Sequence, residues 1–106
     1  MDVLKVSAKS SPNAVAGAIA GILREQGEVC IQVIGAGALN QAVKAVAIAR
    51  SFVEEDQIDL WCVPTFHDVD IGGESRTAIR IQVEDRAKVR VSIDASAADP
   101  GSGLVQ

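Results

Sequence analysis

The run Val29-Cys30-Ile31-Gln32-Val33-Ile34, closed by Gly35-Ala36-Gly37 and followed by a long apolar helical pattern, most constrains the fold of this chain. Five apolar residues in a run of six are the signature of a strand in the middle of a sheet. The helix that follows spans about residues 38–54, with Leu39, Ala42, Val43, Ala45, Val46, Ala49, Phe52 and Val53 on a wide apolar arc. Ile48 and Ala47 lie outside that arc and are expected on its outer side. A helix apolar over so much of its circumference is buried deeply or shared with a partner.

The flanking segments complete an α/β pattern. Leu4 to Lys9 alternates apolar and polar residues, the period of a half-buried strand, with Leu4, Val6 and Ala8 inward and Lys5, Ser7 and Lys9 outward. Ser11 then caps a helix, Pro12 suits its first position, and Gly27 ends it. Gly17 and Gly21, one turn apart, predict close approach to a neighbouring element. Ile58 to Phe66 reads as a third strand, which Pro64 places at an edge or bulge. Gly72-Gly73 marks a hairpin, and Ser75 to Glu84 returns with Ile79, Ile81 and Val83 on one side and Arg76, Arg80 and Gln82 on the other. The expected architecture is a two-layer β-α-β-α-β-β domain over residues 1–86: a mixed four-stranded sheet with two helices. Residues 87–106 form a C-terminal extension, in which Lys88 to Ile93 fits one extra strand before a loose Ala, Ser, Gly and Pro tail.

At 106 residues and 48% apolar content, the chain suits one small domain whose stability leans on self-association. The formal net charge of −4 argues against an avid, nonspecific nucleic-acid coat, because phosphate neutralisation supplies most of such affinity. A local basic patch remains compatible with that balance. The N-terminus lacks the basic and apolar regions of a signal peptide, and no apolar run reaches the ~20 residues of a membrane span. The expectation is a cytoplasmic protein with no membrane contact, whose Cys30 and Cys62 are reduced and buried.

Chemistry-bearing motifs are sparse. Gly35-Ala36-Gly37-Ala38-Leu39-Asn40 looks like a dinucleotide fingerprint, but Asn40 holds the third glycine position and the chain is too short for a doubly wound sheet. What survives is a helix N-terminus whose amides attract anions, or simply a tight turn. The sole histidine, His67, has no local nucleophile beside it, and Asp68 and Asp70 alone do not complete a metal site. No catalytic residue, metal or cofactor is therefore expected. The outward cations Lys5, Lys9, Lys44, Arg76 and Arg80, with Asn40 and Gln41 opening the second helix, are candidate nucleic-acid contacts. The plain alternative is a solvated surface.

The segment Leu4 to Asn13, the segment Ile34 to Arg50 and the run Arg76-Thr77-Ala78-Ile79 closely resemble the stage V sporulation protein S family of bacteria, over about residues 1–86. That resemblance implies an Alba-like nucleic-acid-binding fold that dimerises, and a regulatory role in spore development, in coat assembly and septation. It implies that Lys9 occupies a first strand–helix loop used for nucleic acid in Alba proteins. The expected function is a nucleic-acid-binding regulator of modest affinity, acting on DNA or RNA as a homodimer or higher homo-oligomer. The alternative is a protein-interaction module that binds no nucleic acid.

Overall fold

The computed structural model describes residues 3–88. Its elements are β1 (Val3–Lys5), α1 (Pro12–Gln26), β2 (Glu28–Val33), α2 (Ala36–Val53), a 3-10 turn (Glu54–Asp56), β3 (Leu60–Ile71) and β4 (Glu74–Asp85). The strands lie in the order β1-β2-β4-β3, so the last strand inserts between the second and third. β1 runs parallel to β2, while β4 is antiparallel to both of its neighbours.

Local chemistry sets the helix ends. The Ala14 amide donates to Ser11 Oγ at 3.3 Å, Pro12 occupies the first turn, and the Gly27 amide donates to the Leu23 carbonyl at 2.9 Å. Gly27 has φ 83°, a left-handed conformation that a side chain disfavours. Helix α2 starts two residues earlier than the apolar pattern suggests, at Ala36, because Gly35 with φ 92° makes the turn.

Both helices lie on one face of the sheet. Val29, Ile31 and Val33 of β2 are buried there with Ile81 and Val83 of β4 and Leu60 of β3. From the helices come Ala16, Ile19, Ala20, Leu23, Ala42, Ala45, Ala49 and Val53. Each fully buried Val, Ile or Leu contributes roughly 1.5–3 kcal/mol of hydrophobic stabilisation. Alanines along α2 let the helix sit close to the sheet.

Several expectations need correction. Strand β2 is central, but only one face is covered: Glu28, Cys30 and Gln32 stay half-buried on the open side. Cys30 and Cys62 are free thiols, yet neither is buried; Cys62 is exposed. Strand β1 ends at Lys5, and Ala8 lies exposed in the following turn. Gly17 and Gly21 approach nothing: a methyl at either would meet open space. Ile48 is half-buried and packs against the core, while Val43 and Phe52, assigned to the inner arc, are 55% and 41% exposed. The third strand extends to Ile71, with Pro64 on the edge strand as anticipated. The strand expected from Lys88 to Ile93 falls almost wholly outside the described residues.

Candidate nucleic-acid interface

The carboxyl ends of β1 and β2 lie together because these strands are parallel neighbours. The β1–α1 loop and the start of α2 consequently meet at one end of the domain. The loop is ordered by its own serines. The Ser7 amide donates to Ser10 Oγ at 2.9 Å, the Ser10 amide to the Ser7 carbonyl at 3.1 Å, and the Lys9 amide to Ser7 Oγ at 3.2 Å. Gln41 Nε2 donates to the Ser10 carbonyl at 2.9 Å and ties the loop to α2. Gly37 allows the close approach: a Cβ there would lie 3.0 Å from the Ala8 Cβ. The glycines of the fingerprint-like segment thus serve turn geometry and loop packing. No side chain caps α2 at Gly35, so its first-turn amides are not satisfied by a side-chain cap.

On the open face of the sheet, the register places Lys5, Gln32, Arg80 and Thr65 opposite one another across all four strands. Arg80 Nε donates to Gln32 Oε1 at 2.9 Å, which holds the guanidinium over the sheet. Two residues along, the row is Val3, Cys30, Gln82 and Val63; two further, it is Glu28, Glu84 and Trp61. Gln82 Nε2 donates to Glu28 Oε1 and, at 3.4 Å, to Glu84 Oε2. The open face is therefore cationic at one end and anionic at the other.

The seven residues singled out from sequence fall into three groups. Lys5 and Arg80 share the sheet row. Lys9, Asn40, Gln41 and Lys44 gather at the loop–helix corner, where Asn40 and Lys44, both exposed, stand one turn apart on α2. Arg76 is separate, exposed on the β3–β4 arm opposite Val69, with Glu74 two residues before it on the same face. Gln41 is half-buried, with one amide hydrogen committed to the loop.

Among the described residues, the other arginines are engaged elsewhere. Arg24 pairs with Asp56 at 2.8 Å, and Arg50 and Arg86 converge on Asp59 at 3.3 and 2.6 Å. The hydrogen bond from Arg86 and the charges of Arg86 and Arg50 hold the Asp59 carboxyl below its ordinary value. Among the described residues, none of the five candidate cations takes part in an ion pair. Glu54, Glu55, Asp56, Glu28 and Glu84 lie at the opposite end. The loop end is not free of acid: Asp68, Asp70 and Glu74 lie on the β3–β4 arm, and Asp70 lines a cleft with Lys5 and Arg80.

Sequence reasoning missed Gln32, Thr65 and Gln82 as neighbours of the cations, because the insertion of β4 beside β2 was not visible. It also missed an apolar patch. Phe66 is 78% exposed, and it lines a shallow cleft of about 210 Å³ with Pro64, Thr65 and Ile79. Arg50 donates to the Leu60 carbonyl, which fixes that side of α2 as the one facing β3. Val43, also exposed, lies two turns earlier on the same side of α2. Among the described residues, no helix is long and apolar enough to cross a membrane, and no three His, Cys, Asp or Glu side chains cluster as a metal site.

Comparison with known proteins gives two results. A family model for stage V sporulation protein S matches residues 2–86 of the 106. Among solved structures, Alba from Thermoplasma volcanium superposes with a TM-score of 0.54 at 15% identity, covering 78% of this chain and 99% of that one. The domain therefore has an Alba-like fold, with a mixed four-stranded sheet under its helices.

Proposed function

Because the chain belongs to the stage V sporulation protein S family, we propose that it is a nucleic-acid-binding regulatory protein that acts in sporulation or related developmental control. The observation that carries this reading is the collection of unpaired cations at one end of the domain. Lys5 and Arg80 form a row on the sheet, and Lys9 stands on a hydrogen-bonded loop beside the uncapped start of α2. Phosphate oxygens suit both arrangements: point charges for lysine, a planar fork for arginine, and helix amides for a terminal oxygen. Asn40 and Lys44 extend the surface along α2, and Gln41 acts chiefly by holding the loop in place. Arg76, out on the β3–β4 arm and apart from the other cations, contributes less.

The working unit in this reading is a two-fold dimer. Phe66, with Pro64 and Ile79, forms an exposed apolar patch that a second copy would cover, and a self-complementary interface would place two cationic ends at a fixed spacing. Two weak patches then gain through effective concentration. The same patch favours the second reading, a protein-interaction module that uses no nucleic acid.

Fluorescence anisotropy with labelled single- and double-stranded DNA and RNA at several salt concentrations tests the proposal. Affinity should fall as salt rises, and Lys9→Gln should weaken binding without changing the fold. Absence of binding at low salt, with the protein folded and self-associated, would favour the interaction module instead.

A further inference from the structure

The open face of the sheet carries a groove that the phosphate contacts alone do not explain. It has a volume of about 430 Å³ and is lined by Val3, Cys30, Val63, His67, Arg80 and Glu84, among others. Its three parts differ in chemistry. At one end Arg80 supplies positive charge, and Lys5 stands on the same cross-strand row in the adjoining cleft, which Asp70 also lines. The middle row runs Val3, Cys30, Gln82 and Val63, aliphatic and thiol groups interrupted by one amide that is turned toward Glu28. At the far end stand Glu84 and Glu28, bridged by Gln82, with Trp61 opposite Glu84.

We infer that this groove binds an unpaired base of a single-stranded nucleic acid, its phosphate at Lys5 and Arg80 and its donor edge at Glu84. The inference rests on the nucleic-acid reading above and adds what kind of nucleic acid is bound and which face it uses. Charge complementarity fixes the direction. A phosphate is attracted to the cationic end and repelled by the two carboxylates. Those carboxylates are acceptors only, so they select a base edge that offers N–H groups in parallel, as guanine does. Arg80 and Glu84 are four residues apart on one strand, about 13 Å, close to the reach from a nucleotide's phosphate to the far edge of its base. Flat apolar floors and nearby rings such as Trp61 and His67 favour base faces, as sheet surfaces that bind single strands do. A paired base in a duplex presents neither its face nor its donor edge.

The two cysteines report separately on the two faces. Cys30 lies in the groove, whereas Cys62 alternates with Trp61 and Val63 and sits on the helix side. The test uses the full chain and an RNA of about ten uridines with one central guanosine, a length within the range such surfaces occupy. The same RNA annealed to its complement serves as control. Labelling of each cysteine by N-ethylmaleimide is resolved by peptide mass spectrometry, and emission from Trp61, the only tryptophan, is followed in parallel. The single strand should slow labelling of Cys30 several-fold relative to Cys62 and quench Trp61, and the duplex should do neither. Val63→Glu, at a site 47% exposed, should weaken the single strand by about tenfold or more, the worth of one stacked base. Glu84→Gln should erase preference for the guanosine RNA over plain oligouridine.

Binding seen by anisotropy, with Cys30 labelling and Trp61 emission unchanged, would overturn the inference and leave the broader function standing. No binding of either RNA, or of DNA, would remove both.

Discussion

Replacing Gly37 with alanine probes the packing that positions Lys9. The new Cβ would lie 3.0 Å from the Ala8 Cβ and 3.8 Å from its Cα. Carbon atoms prefer about 3.5–4.0 Å, so the loop must retreat by roughly 0.5–1 Å. Overpacking of this kind costs about 1–3 kcal/mol. Against it stands a helix-propensity gain of up to about 1 kcal/mol for alanine over glycine. Ala8 is exposed and backed by no core residue, so the cost should fall near the low end. Gly37→Ala alone should therefore change stability by between zero and about −2 kcal/mol. Ala8→Gly removes the offending methyl. In the double variant the clash disappears while the helix gain remains, giving a coupling of about 1–2 kcal/mol, within the range for residues in contact. Urea unfolding of the parent, both single variants and the double variant yields that coupling directly. Lys9-dependent anisotropy on the same four proteins should track it: weaker binding in Gly37→Ala, restored in the double variant. A coupling below about 0.3 kcal/mol, the level of independent sites, would refute the packing of loop against helix.

Three other outcomes are expected. Lys5→Gln should flatten the dependence of log affinity on log salt by about 0.7 per occupied site on single strands, while leaving thermal stability near the parent value; an unchanged slope would place Lys5 outside the contact. Asp59→Asn should make the protein less sensitive to acid: the folded carboxyl is held below its ordinary 3.8 by Arg86 and Arg50, so its stabilisation is full above that value and lost as pH falls through the lower folded one. Thermal melts of parent and variant should then differ most near neutrality and converge in strong acid, and a constant gap would exclude this linkage. Phe66→Asp should dissociate the proposed dimer, as read by light scattering at micromolar concentration, without unfolding the domain, because Phe66 is 78% exposed; a variant that self-associates like the parent would move the interface elsewhere.

Much of the fold was legible because its elements obey local rules. Ser11-Pro12 and Gly27 mark α1 by capping chemistry, and the Gly72-Gly73 pair marks the hairpin by left-handed backbone, φ 60° and 84°. Arg80 and Gln82 were placed on the outward side by alternation alone. What local rules do not carry is strand order. Nothing within Glu74–Asp85 says that it pairs with β2, so the Lys5–Gln32–Arg80 row and the groove beside it emerge only from the register. Burial was misjudged where apolarity was equated with depth. Val43, Phe52 and Cys62 are apolar or weakly polar and yet exposed: the helices pack chiefly over β2, and the edge strand β3 is left largely uncovered. Gln41 was read as a surface contact, whereas its partner is a carbonyl 31 residues away in sequence.

Pro64 bears on how copies of this chain meet without coalescing. Strand β3 is twelve residues long and, among the described residues, has β4 on one side only. A free edge of that length is a template for another chain, the route by which soluble domains grow into insoluble sheets. Proline lacks an amide hydrogen, so at the outward-facing position it costs the native ladder nothing and leaves a gap in the edge's row of donors. The Leu60 carbonyl on the same edge is already taken by Arg50. A stray strand would have to bridge both interruptions. Replacing Pro64 with valine would therefore mend the template: the fold would be preserved, but concentrated or heated solutions would become prone to fibrillation.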